Sequence, residues 1–75
     1  MKFNGHKNWN HWNVSLWVNN DEWLYSMAME LCHKYNRAEA AKKMLLELNE
    51  MGIYKTDDGA PFSVSSIRAA MVGII

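Results

Sequence analysis

The chain has 75 residues, with eight basic side chains balanced by eight acidic ones. This length fits one domain with a small core, and the charge balance lacks the basic excess that is typical of nucleic-acid binders. The 49% hydrophobic content argues against disorder, and no signal peptide or membrane-spanning run is recognised, so we expect a cytoplasmic protein.

Residues 1–8 form a polar lead-in that Phe3 is expected to anchor. A first helix is predicted over 9–18, from apolar residues at helical spacing: Trp9, Trp12 and Leu16. The same helix would carry a second apolar face, made of Val14, Trp17 and Val18. Alternation through Trp12, Val14 and Leu16 would also suit a strand, but the helix is favoured.

A second helix is predicted over 21–35, with Asn20 as its N-cap and acidic residues in its positive first turn. Its predicted buried stripe consists of Trp23, Met27, Leu31 and Tyr35, widened by Leu24, Ala28 and Cys32. We therefore assign two of the four tryptophans, Trp17 and Trp23, to the core.

A third helix is predicted over 37–51, after the cap residue Asn36 and before the C-terminal glycine Gly52. Its predicted buried face consists of Ala38, Ala41, Leu45 and Leu48, with Met44 and Met51 beside them.

A loop is predicted over 52–62, in which Thr56-Asp57-Asp58-Gly59 could close a tiny hairpin. Ser63 then caps a last helix over 64–72, which Gly73 ends. Its apolar face consists of Val64, Ile67, Ala70 and Met71. The sequence thus predicts one all-α domain over 1–75, built from about four short helices.

No group of side chains has the spacing of a catalytic or metal site. His6, His11, Cys32 and His33 lack the spacing of zinc ligands, and the single cysteine reads as a small core residue in a reducing compartment. The paired aspartates fit a turn, and no glycine-rich phosphate loop is present. We therefore expect no enzyme activity, no metal and no cofactor.

The aromatic residues favour a binding function instead. A helix of about ten residues cannot bury two apolar faces by itself, so Trp9 and Trp12 are either exposed anchors for a partner or part of the core. Tyr25 and Met29 lie off the main stripe of the second helix and are candidate contacts. A second candidate surface is acidic and consists of Glu47, Glu50, Asp57 and Asp58. The aromatic stripe would serve a homodimer equally well.

The stretch WNHWNVSLWVNNDEWLY resembles a motif of short proteins encoded by bacteriophages and some bacteria, approximately W-N-V-x-L-W-x-x-N-D-x-x-x-Y. The matching residues are Trp12-Asn13-Val14, Leu16-Trp17, Asn19 or Asn20, Asp21 and Tyr25. The chain departs from that pattern at Asn8-Trp9 and at Trp23, where a small residue is common. The resemblance implies a small phage-type protein and carries no established activity. Because small early phage proteins commonly bind a host machine, we expect this protein to bind a host protein in the host cytoplasm and to inhibit or redirect it, in host takeover or anti-defence.

The C-terminal half resembles the helix–loop–helix that follows the catalytic domain of large serine recombinases. The matching residues are Leu48-Asn49, Gly52, Gly59, Pro61-Phe62, Ser63, Ser65 and Ile67-Arg68. This resemblance implies the alternative function, a helix-turn-helix DNA-binding regulator, with a dimer expected. Its DNA contacts would be Ser63, Ser65, Ser66 and Arg68, with Lys55 and Arg68 meeting phosphate. The acidic residues that flank this segment disfavour DNA binding.

Overall fold

Four α-helices make up most of residues 7–74, the part of the chain that the computed structural model describes. In chain order they are α1 (Trp9–Asn20), α2 (Glu22–Lys34), α3 (Arg37–Glu50) and α4 (Val64–Ala70). The predicted all-α fold is confirmed, with boundaries within two residues of those expected. The predicted Phe3 anchor lies outside the described residues.

Each helix begins at a polar side chain that accepts a hydrogen bond from a backbone N–H of the first turn. The caps of α1, α3 and α4 are Asn8, Asn36 and Ser63, and Ser63 forms a capping box with Ser66. The predicted cap of α2, Asn20, is wrong. Asp21 fills that position instead, accepting from the backbone of Leu24 at 3.0 Å.

Asp21 also closes the preceding helix, because its own N–H donates to the carbonyl oxygen of Trp17 at 2.8 Å. Asn20 remains the last residue of α1 and donates its side-chain amide to the carbonyl oxygen of Leu16 at 2.7 Å. One residue therefore both ends α1 and starts α2, which leaves no flexible linker between them.

The C-terminus of α3 ends as predicted at Gly52, whose φ is +78°. The N–H of Gly52 donates to the carbonyl oxygen of Asn49, and the N–H of Ile53 donates to that of Leu48. This pair of bonds is the Schellman motif, which satisfies carbonyl groups that the helix leaves open.

The helices contact one another in cyclic order: α1 packs on α2, α2 on α3, α3 on α4, and α4 back on α1. The core is mostly aliphatic, and Phe62 is the one buried aromatic residue among the described ones. Its largest fully buried apolar side chains are Met44, Leu48, Ile67, Met71, Val14 and Val18.

The buried face of α2 differs from the predicted one. Trp23 and Tyr35 are 49% and 40% exposed, so their assignment to the buried stripe is wrong. The core side of the helix instead follows Leu24, Ala28 and Leu31, which recur at i, i+4 and i+7. Trp23 lies about 100° around the helix from Leu24 and therefore points to the surface.

In α1, the Val14–Val18 side faces the core and Trp17 packs half-buried against it, as assigned. In α3, Ala40, Ala41, Met44 and Leu48 are buried, whereas Leu45 and Ala38 are only half-buried. The buried face of α3 is therefore turned slightly from the predicted one.

The tiny hairpin predicted between α3 and α4 is present. Lys55 and Pro61 form an isolated antiparallel bridge. The N–H of Thr56 donates to the carbonyl oxygen of Ala60 at 2.8 Å, and Gly59 turns the tip with a φ of +94°. Its residues Ala60 and Phe62 enter the core, so the hairpin packs as part of the fold.

No helix within residues 7–74 is both long and apolar enough to cross a lipid bilayer.

Candidate functional site

A buried polar network joins α1 to the tip of the hairpin. Asn13 is 2% exposed, and its Nδ2 donates to Oδ2 of Asp58 at 2.9 Å. Its Oδ1 accepts from the hydroxyl of Thr56 at 2.6 Å, and that hydroxyl oxygen accepts from the backbone N–H of Ala60 at 3.0 Å. Both ends of the Asn13 amide are thus satisfied, as burial requires.

Trp17 contributes a second bond to the same carboxylate. Its indole Nε1–H donates to Oδ2 of Asp58 at 3.0 Å. The hydrogen bonds from Asn13 and then Trp17 lower the pKa of Asp58, because they favour its charged form. Asn13 and Trp17, which belong to the tryptophan-rich segment 9–25, therefore hold the hairpin against α1.

Asp58 was predicted to contact a partner, but one of its oxygens already bonds within the chain. Sequence reasoning missed this network, since Asn13 and Thr56 are 43 residues apart. The signal available was Asn13 itself, a polar residue directly beside the inward-facing Val14.

Trp23 differs sharply from Trp17 in its surroundings. It is 49% exposed, and within residues 7–74 its indole nitrogen has no hydrogen-bond partner. An exposed tryptophan with a free N–H offers both apolar area and a donor to a binding partner.

Trp23 lines two of three neighbouring surface depressions, which together we call the Trp23 groove. The first, near the end of α1, is lined by Leu16, Trp17, Asn20, Asp21 and Asp58. The second lies between α2 and the hairpin, and its lining includes Trp17, Asp21, Trp23, Ile53, Asp57 and Phe62. The third runs between α2 and α3, lined by Trp23, Ser26, Met27, Glu30, Leu31 and Glu47.

Neighbouring depressions share lining residues. Trp17 and Asp21 belong to the first and second, and Trp23 belongs to the second and third. Two residues from the predicted acidic surface, Glu47 and Asp57, therefore lie beside Trp23, although their distance along the chain gave no sign of it.

The other predicted contact residues lie elsewhere. Trp9, 38% exposed, and the half-buried Trp12 lie in the first half of α1, outside the lining of the groove. The helical period places Tyr25 and Met29 on the opposite flank of α2 from Trp23. Glu50 is exposed at the end of α3.

The residues of the DNA-binding alternative are mostly engaged within the chain. Ser66 is 1% exposed, and its hydroxyl and that of Ser63 form the capping box of α4, so Ser66 is not available to a duplex. The hydroxyl of Ser65 lies 2.9 Å from Nε2 of His11. Lys55 and Arg68 are exposed.

No group of three or more histidine, cysteine or acidic side chains that could hold a metal ion occurs within residues 7–74, and His6 lies outside them. Cys32 is half-buried against the core, and burial raises the pKa of its thiol, an effect that the nearby Arg37 partly opposes.

The fold and the groove define a small four-helix protein with an exposed aromatic groove and a hairpin fastened to its first helix. The chain belongs to DUF7249, a family of unknown function, whose match covers residues 1–75. Searches of curated proteins and of solved structures found no match.

Proposed function

We propose that the chain is a non-enzymatic interaction protein that binds a host protein through the Trp23 groove and blocks or redirects it. The observation that carries this proposal is the exposure of Trp23 at 49%, in a groove that both apolar and acidic side chains line. Tryptophan is one of the residue types enriched among the hot spots of protein interfaces.

The contrast between two neighbouring tryptophans supports the proposal. Trp17 packs against the core and has its indole N–H bonded to Asp58, so the fold uses it. Within the described part of the chain Trp23 has no such bond, and it leaves about half of its surface in water. This exposure costs free energy in a domain whose core is small. A partner that covers Trp23 would recover that free energy.

The resemblance of the segment from Trp12 to Tyr25 to short phage proteins supplies the biological setting. Small phage proteins commonly act by binding a host machine, so we place this protein in the host cytoplasm and assign it a role in host takeover or anti-defence. Trp9, Trp12, Tyr25 and Met29 lie on separate surfaces, outside the proposed interface.

The test is affinity capture from nuclease-treated host lysate with the tagged protein, followed by mass spectrometry. Three baits are compared: the wild type, Trp23→Ala and Trp9→Ala. The last is a matched control, because Trp9 is similarly exposed at 38% but lies outside the groove. Circular dichroism establishes that all three baits are equally helical.

We expect one dominant host protein that survives nuclease, is retained by Trp9→Ala and is lost with Trp23→Ala. Loss with Trp9→Ala alone would move the interface to the start of α1. Recovery of partners only when nucleic acid is intact, with binding that falls steeply as salt rises, would favour the DNA-binding alternative instead.

A further inference from the structure

We propose that the Trp23 groove receives a basic segment of the partner, in which lysine or arginine side chains flank an apolar residue that packs on Trp23. This inference rests on the proposed function and specifies the chemistry of the partner. It follows from the size, the apolar floor and the charge of the groove.

The size of the depressions favours side chains over a small molecule. Their volumes are about 250, 170 and 290 Å³, in order along the groove. Small-molecule sites typically enclose ~300–1,000 Å³ and bury most of the ligand. A row of three shallow depressions instead suits successive side chains of one peptide segment.

The charge of the groove is strongly one-sided. Five carboxylates line it, and Lys55 is the one cation among its lining residues, all of which lie within 7–74. The carboxylates belong to Asp21, Glu30, Glu47, Asp57 and Asp58. Because the chain as a whole is neutral, this imbalance is a local property of the groove.

Three of the five carboxylates have partners within the chain: Asp21 caps α2, Asp58 accepts from Asn13 and Trp17, and Glu30 forms an ion pair. Glu30 pairs with Lys34 at 3.3 Å, but both side chains are well exposed. Within the described residues the carboxylates of Glu47 and Asp57 form no ion pair or hydrogen bond. Charges arranged in this way around an apolar groove steer and orient a partner of opposite charge.

The apolar floor defines the second requirement on the partner. Ile53, Phe62, Met27 and Leu31 border Trp23 on its two sides, so an aliphatic or aromatic side chain can pack against the indole. A purely cationic segment would leave that floor in water, whereas an alternating basic and apolar segment satisfies both features.

The experiment measures fluorescence anisotropy with three labelled peptides of equal length, which alternate leucine with lysine, with glutamate or with serine. The protein is the full chain, as wild type and as Trp23→Ala, Trp9→Ala, Glu47→Gln/Asp57→Asn and Glu39→Gln/Glu50→Gln. The last variant removes the same number of charges from exposed positions of α3 outside the groove.

We expect saturable binding of the lysine peptide only. Trp23→Ala should raise its Kd at least about tenfold, in the range of a hot-spot residue. Glu47→Gln/Asp57→Asn should raise the Kd several-fold and reduce its dependence on salt, because the charge interaction is screened. The two control variants should bind as the wild type does.

Equal binding of the three peptides, or lysine-peptide binding that the groove variants leave unchanged, would overturn the inference. So would the same weakening in both charge variants, since this reports net charge alone. If the lysine peptide fails while Trp23→Ala still abolishes host-protein capture, the proposed function stands and the assignment of a basic partner is wrong.

Discussion

Asn13 in α1 donates a hydrogen bond from Nδ2 to Oδ2 of Asp58 at 2.9 Å, across 45 residues of sequence. The bond ties the first helix to the tip of the hairpin that precedes the last helix. The hydroxyl of Thr56 donates to Oδ1 of Asn13 and accepts from the N–H of Ala60, so Asn13 is the central residue of this buried hydrogen-bond network. This arrangement leads directly to two predictions on stability.

Asn13→Ala is expected to destabilise the fold by about 2 kcal/mol, because it removes both bonds of a buried amide and leaves the Thr56 hydroxyl without its acceptor. For a domain of this size the melting temperature should fall by roughly 8–16 °C. Thermal unfolding followed by circular dichroism measures the change.

Asn20→Ala is the matched control, since Asn20 lies in the same helix but is exposed and bonds only to its own helix. Its stability should stay within about 0.5 kcal/mol of the wild type. Equal melting temperatures for the two variants would mean that the Asn13 network contributes nothing to the fold.

Asp58 should make stability depend on acid pH. Its folded-state pKa is lowered by the bonds from Asn13 and Trp17, so the folded protein binds this proton less readily than the unfolded chain does. The stabilisation that Asp58 provides is therefore complete above the pKa of the unfolded chain, about 3.9. It is lost as the pH falls through the lower pKa of the folded protein.

Urea unfolding of the wild type and Asp58→Asn across this pH range tests the assignment. The wild type should be the more stable at neutral pH, and the difference should narrow below about pH 3.9. A difference that is the same at every pH would show that the carboxylate charge is not what stabilises the hairpin.

Gly52→Ala should cost about 1 kcal/mol, since the position has a φ of +78° that L-residues with a Cβ adopt at a penalty. No atom lies within 4 Å of an added Cβ, so the cost comes from the backbone alone. Gly52→Asn should cost less, because asparagine tolerates this conformation. Chemical denaturation should rank the wild type as the most stable, Gly52→Asn second and Gly52→Ala third. Equal stability of the three proteins would show that the positive φ at this position carries no penalty.

Leu48→Ala should destabilise the protein by about 2–5 kcal/mol, because Leu48 is fully buried and its truncation leaves a cavity. A chain of this size has a total stability of only roughly 4–11 kcal/mol, so the variant should be close to unfolding. Leu46→Ala, two residues away and 61% exposed in the wild type, should change stability by less than about 0.5 kcal/mol. The denaturant midpoints of the two variants and the wild type measure these changes. An equal loss of stability in Leu48→Ala and Leu46→Ala would mean that the buried face of α3 is assigned wrongly.

The local features of the fold could be read from the sequence because they depend on neighbouring residues. Asn36 and Ser63 cap helices through bonds that span three residues, and Gly52 ends α3 through its own backbone conformation. The one misplaced cap, at Asn20, fell beside a residue of similar capping ability, where local preference does not decide between Asn and Asp.

The outward position of Trp23 was decided by packing. Its hydrophobicity predicts burial, but Leu24, Ala28 and Leu31 already fill the side of α2 that meets α1 and α3, and a helix can present one side to a small core. The same packing brought Glu47 and Asp57 next to Trp23, which neither their spacing nor their charge could indicate.

By itself, then, the sequence determined four helices, their ends to within two residues and the hairpin between the last two, since turn chemistry, caps and apolar periodicity act within a few residues. Only the tertiary structure decided which tryptophan the core needs and which it leaves exposed. Trp17 packs inward and bonds to Asp58, whereas Trp23 stands in an acidic groove, because burial depends on how four helices share one small interior.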